Sequence, residues 1–86
     1  MILIAYSGAT KSDWVLVDQT HEKMSFQLVG MNPFYITSDQ ITENLKRHII
    51  PFVDYRKITN IYFYGAGCTS QNKKIVVEEA IQKVFN

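Results

Sequence analysis

Apolar residues recur along this chain with two different periods, and the switch between them separates strands from helices. Ile2-Leu3-Ile4-Ala5-Tyr6 is apolar throughout rather than alternating, the pattern of a central strand covered on both faces. Polar residues Ser7 to Asp13 follow, and then a second β-branched and aromatic run, Trp14-Val15-Leu16-Val17. Two such runs joined by a Gly-containing turn predict a hairpin. Beyond the polar bend Asp18 to Lys23, Met24-Ser25-Phe26-Gln27-Leu28-Val29 alternates with period two. That alternation predicts a strand with one solvated face, near a sheet edge.

Gly30 and Asn32-Pro33 interrupt the strand pattern. Thr37-Ser38-Asp39-Gln40 then offers an N-cap with a Thr-x-x-Gln capping box, ahead of Ile41, Leu45 and Ile49 at four-residue spacing. The spacing predicts an amphipathic helix, stopped by Pro51, whose ring removes a donor and disfavours helical geometry at Ile50. A fourth apolar run within Ile58 to Tyr64 ends at Gly65-Ala66-Gly67. From Thr69 to Phe85, Ile75, Val76, Val77, Ala80, Ile81, Val84 and Phe85 recur with helical period, which predicts a helix covering the sheet. The order strand, strand, strand, helix, strand, helix predicts an α/β fold. Its sheet is a three-strand antiparallel meander, with the fourth strand brought parallel to the first by a right-handed crossover.

Composition narrows the function classes. At 86 residues the chain is one domain at most, and a domain of this size buries only roughly 60–65% of the surface its unfolded chain exposes. With 47% hydrophobic, 13% aromatic and 20% charged residues it is too apolar for disorder. The net charge is +1 and no run of like charge exceeds Lys73-Lys74, so neither nucleic acid nor an anionic membrane is an expected partner. The single cysteine, Cys68, forms no internal disulfide, and Met1 to Ala5 is too short for a signal segment, so a cytoplasmic location is expected. No apolar run approaches the ~20 residues of a membrane span.

The first turn carries the candidate chemistry. In Ser7-Gly8-Ala9-Thr10-Lys11-Ser12, Gly8 permits close backbone approach, successive N–H groups can form an anion-binding nest, and hydroxyls with one lysine can contact phosphate oxygens. It is not a Walker loop, because the glycine spacing is missing and β-formers follow. An ordinary polar hairpin tip is the alternative. Asp13 is read either as assisting at the phosphate turn or as an acid closing it, His21 and His48 as surface histidines without metal-ligand spacing, Cys68 as a small buried residue rather than a reactive thiol, and Tyr62-Phe63-Tyr64 as core rather than a base-stacking platform.

Three motifs in order then point to a family. Ile2 to Trp14 with its Ser-Gly-Ala-Thr-Lys-Ser turn, Gly30-Met31-Asn32-Pro33-Phe34, and Ile61-Tyr62-Phe63-Tyr64-Gly65-Ala66-Gly67-Cys68-Thr69 resemble the amino-terminal part of the N-acetylglucosamine kinase-like ATPases of the BadF/BcrA type, within the actin/hexokinase-like superfamily. The resemblance implies a ribonuclease H-like half-domain, and a function as the amino-terminal fragment of a sugar kinase or ATPase that uses ATP and magnesium. It implies that Ser7, Gly8, Ala9, Thr10, Lys11 and Ser12 face nucleotide phosphate, that Asn32 faces the substrate, and that Gly65, Ala66 and Gly67 border the cleft.

Where the family has an aspartate before this turn, the chain has Tyr6, which cannot supply the anionic oxygen that Mg²⁺ prefers, so no metal ligand is expected. The family's second phosphate loop and the other half of its cleft lie beyond residue 86. Residues 1–86 are therefore expected to form a single truncated subdomain, inactive and without bound cofactor by itself. The exposed fourth strand or the apolar face of the last helix is expected to make it a homo-oligomer. The alternative function is a non-catalytic remnant or self-associating interaction module.

Overall fold

Alternation along β1 (Ile2–Ser7) sends Leu3, Ala5 and Ser7 to one face of the sheet and Ile2, Ile4 and Tyr6 to the other, and the helices pack on the first of these faces. A computed structural model describes residues 1–21, 23–65 and 71–85. β2 (Lys11–Val17) runs antiparallel to β1 with Leu3 opposite Leu16 and Ala5 opposite Trp14, and β3 (Lys23–Val29) runs antiparallel to β2. β4 (Asn60–Gly65) is parallel to β1, giving the sheet order β3-β2-β1-β4. This is the antiparallel meander with a parallel fourth strand expected from the sequence.

Helix α1 (Ser38–His48) begins where the capping box places it. Thr37 Oγ1 accepts the Gln40 N–H at 3.2 Å and the Gln40 side chain accepts the Thr37 N–H at 2.9 Å. Two otherwise orphaned donors are satisfied in this way. Pro51 does not simply end the helix; it sits in a 3₁₀ turn, Ile50–Phe52, just after it. Helix α2 (Gln71–Phe85) packs against α1. One core results, with Leu3, Ala5, Trp14, Leu16 and Leu28 from the sheet meeting Ile41, Leu45 and Ile49 from α1, and Val77, Ala80, Ile81 and Val84 from α2.

β1 is central in the sheet but is not covered on both faces, contrary to the expectation from its unbroken apolar run. Both helices contribute to the single core on one side, so among the described residues the opposite face stays open, with Tyr6 57% and Tyr64 56% exposed. The same alternation corrects the reading of Tyr62-Phe63-Tyr64: Phe63 packs against the core while both tyrosines point outward. Tyr6 and Tyr64 stack on each other on that open face, ring centroids 5.3 Å apart. Among the described residues no helix is long and apolar enough to cross a membrane.

A second 3₁₀ turn, Tyr55–Lys57, is capped by Asp54, whose Oδ1 accepts from the Arg56 N–H and from Arg56 Nε, each at 3.2 Å. The Arg56 side-chain hydrogen bond holds the Asp54 carboxyl below the usual carboxylate range. A lowered folded-state pKa stabilises the fold above the ordinary carboxylate value, and the contribution disappears as pH falls through the lowered one. Asp54→Asn should therefore lower the melting midpoint slightly at neutral pH and match wild type in acid. An equal offset at both pH values in thermal melts would contradict this.

Candidate functional site

Strand register confines the first turn more tightly than its polar composition does. Ser7 lies opposite Ser12, so Lys11, Ser12 and Asp13 already belong to β2, and the turn proper is Gly8, Ala9 and Thr10. The Gly8 N–H closes it by donating to the Lys11 carbonyl at 2.9 Å. Asp13 does not close the turn, one of its two sequence readings; it stands on the open face of β2 opposite Tyr6, where its carboxylate accepts from Gln27 Nε2 at 3.1 Å.

The six residues of the sequence motif divide into two groups. Ser12 is fully buried; its hydroxyl donates to the Val29 carbonyl at 2.7 Å and accepts from Trp14 Nε1 at 2.8 Å. Ser7 Oγ accepts the Met31 N–H at 2.7 Å and donates to the Gly8 carbonyl at 3.2 Å. Both hydroxyls are committed to the protein. At the exposed tip, by contrast, the Ala9 and Thr10 N–H groups, the Thr10 hydroxyl and the Lys11 ammonium have no partner among the described residues. Adjacent free N–H donors beside an unpaired cation are the elements of an anion site.

The loop after β3 is fitted against this turn. A Cβ on Gly30 would lie 2.5 Å from the Ala9 carbonyl oxygen and 2.6 Å from that of Gly8, so only glycine allows the turn's backbone to rest there. Sequence reasoning took Gly30 as a strand breaker and missed this role. The only signal available was a glycine at a strand end, which marks close approach as readily as termination. Asn32 follows, nearly buried, with Oδ1 accepting the Phe34 N–H at 3.0 Å. Its carbonyl accepts from Tyr35 and Ile36 N–H at 2.9 and 3.1 Å, while its side-chain Nδ2 has no partner among the described residues. Phe34 is exposed beside it, with the Lys73 ammonium of α2 4.7 Å from the ring centroid.

Gly65, the last residue of β4, lies opposite Ser7, so the third motif begins beside the first. Ala66, Gly67 and Cys68 lie outside the described residues. His21, in a turn with φ 64°, and His48, at the end of α1, are both exposed. Among the described residues no group of three or more His, Cys, Asp or Glu could hold a metal ion. Beside the free edge of β4, an open groove of about 730 Å³ runs under α2, floored by Ile61, Phe63, Val77, Ile81 and Phe85.

The chain is similar over 99% of its length to the crystal structure of a protein from Porphyromonas gingivalis, at 35% sequence identity and a TM-score of 0.83. That protein's name provisionally makes it an N-acetylglucosamine kinase. The match covers 30% of its length. No family model and no curated protein sequence matches the chain.

Proposed function

We propose that this chain, a member of the N-acetylglucosamine kinase-like family across the length it spans, forms the amino-terminal, phosphate-holding lobe of a two-lobed ATP-dependent sugar kinase or ATPase. The observation that carries the reading is the exposed Gly8–Lys11 tip, where two backbone N–H groups and the Lys11 ammonium have no partner among the described residues. The reaction served would be γ-phosphoryl transfer to an amino-sugar hydroxyl, with Asn32 Nδ2 as a donor toward the acceptor, or nucleotide hydrolysis coupled to a partner. Catalysis of this kind rests on positioning and on neutralising charge over the phosphate oxygens, and backbone donors with a lysine supply part of both.

Magnesium, which such a kinase would use, does not fit the residues present. At the position of the family's aspartate Tyr6 offers a phenol stacked on Tyr64 in place of a carboxylate, and the neighbouring Asp13 carboxylate is engaged by Gln27. One lobe with such a site supplies only one half of a closed cleft, so the purified 86-residue polypeptide should show no ATP turnover above a blank in a coupled assay. Magnesium-dependent turnover by it would overturn the reading. In a chimera completed with the remaining part of the P. gingivalis protein, Tyr6→Asp should raise Mg·ATP affinity by about 10–100-fold, the usual weight of a partner at a metal site. An unchanged dissociation constant would show that Tyr6 is not the obstacle.

A second reading, a self-associating module without catalysis, is favoured by one feature. β4 is an edge strand with no charge and no proline in Asn60–Gly65, and such edges recruit further strands. Under this reading light scattering at high micromolar concentration gives the mass of a dimer or larger. A monomer throughout the concentration series would remove it.

A further inference from the structure

Residues 24 apart in sequence meet at the Ser7 hydroxyl, which accepts from the buried Met31 N–H and donates to the Gly8 carbonyl of the turn. One side chain thus bridges the turn and the Asn32 loop, with both hydroxyl roles used. Met31 is fully buried, so water is not available to replace that acceptor. The same Gly8 carbonyl, and that of Ala9, also face Gly30, whose missing Cβ leaves them room.

The direction of those two carbonyls has a chemical consequence. In a planar trans peptide the C=O and the N–H of one unit point opposite ways. The Gly8 carbonyl shares its unit with the Ala9 N–H, and the Ala9 carbonyl shares its unit with the Thr10 N–H. With both carbonyls seated on Gly30, both N–H groups are turned away from the protein toward solvent.

We propose that Ser7 and Gly30 are a pair of positioning residues: Gly30 aims the turn's two N–H groups outward at a phosphate, and Ser7 fixes the Asn32 loop at a set separation from that phosphate. This rests on the phosphate-holding reading above. It gives Ser7 a task different from direct contact with ligand. It also makes the first two sequence motifs one mechanical unit, so that filling the turn is felt at Met31 and Asn32 through the shared hydroxyl.

The test is amide NMR on the ¹⁵N-labelled polypeptide titrated with inorganic pyrophosphate. In wild type the Ala9 and Thr10 signals shift saturably, and those of Met31 and Asn32 follow with the same midpoint. In Ser7→Ala the turn still responds at a several-fold weaker midpoint, the Met31 and Asn32 response is lost, and the Met31 amide exchanges about tenfold faster, as removal of one hydrogen bond implies. Ser7→Thr, which keeps the hydroxyl, restores all three. A Met31 and Asn32 response in Ser7→Ala equal to wild type, or no rescue by threonine, overturns the pairing. If pyrophosphate moves no turn amide in wild type, the phosphate reading fails. Met31 exchange in the Ala and Thr variants then decides whether Ser7 holds the loop: faster exchange restored by threonine supports it, and unchanged exchange refutes it.

Discussion

Trp14→Ala leaves the 86-residue polypeptide largely unfolded in water at room temperature. Trp14 is fully buried at the centre of β2, its ring 6.0 Å from that of Phe63, and its Nε1 donates to Ser12 Oγ. Truncating a buried tryptophan costs about 3–5 kcal/mol through lost burial and the cavity left behind. The whole fold of a chain this size is held by only about 4–13 kcal/mol, and an open sheet face and groove place this one toward the low end. The variant also strips Ser12 of a donor in the wall of the turn. Urea titration followed by near-UV circular dichroism checks this; a cooperative transition with the wild-type midpoint would show that the core is not organised around Trp14.

Gly30→Ala is the second large effect, and it contrasts with the glycine that the motif itself contains. A Cβ at Gly30 meets two backbone carbonyl oxygens at 2.5 and 2.6 Å, neither of which can swing aside as a side chain would. At Gly8 the nearest neighbour outside its own backbone is the Lys11 carbonyl at 3.6 Å, an ordinary contact. Overpacking of the Gly30 kind costs about 1–3 kcal/mol, which corresponds to roughly 4–8 °C of melting midpoint per kcal/mol in a domain of this size. Gly30→Ala should thus melt many degrees lower and lose phosphate binding as the turn is pushed outward, while Gly8→Ala stays near wild type in stability. Parallel calorimetric melts compare them, and equal midpoints for the two variants would contradict the seating of the turn on Gly30.

Much of the scaffold was legible from residue pattern alone, for identifiable reasons. The capping box at Thr37 and Gln40, the spacing of Ile41, Leu45 and Ile49, and the strict alternation of β3 are local signals that tertiary packing reinforces. The open face of β1 was hidden, because an unbroken apolar run looks the same whether the second layer is present or not. The site was legible as a place but not in its division of labour. That Ser7 and Ser12 serve the protein depends on where Met31, Val29 and Trp14 lie, which register decides and composition does not. Tyr6 is the reverse case: the resemblance marked it as a departure, and its stacking on Tyr64 gives the phenol a place on the open face.

The central claim is that the Gly8–Lys11 tip is a phosphate site in a lobe that needs a second one to act. Isothermal titration of ATP without magnesium into the 86-residue polypeptide tests it most directly. The account predicts weak, saturable one-to-one binding that loosens several-fold in Lys11→Ala and as salt is raised, as an exposed charge contact must. Heats no larger than dilution in wild type, or binding indifferent to Lys11, would contradict it.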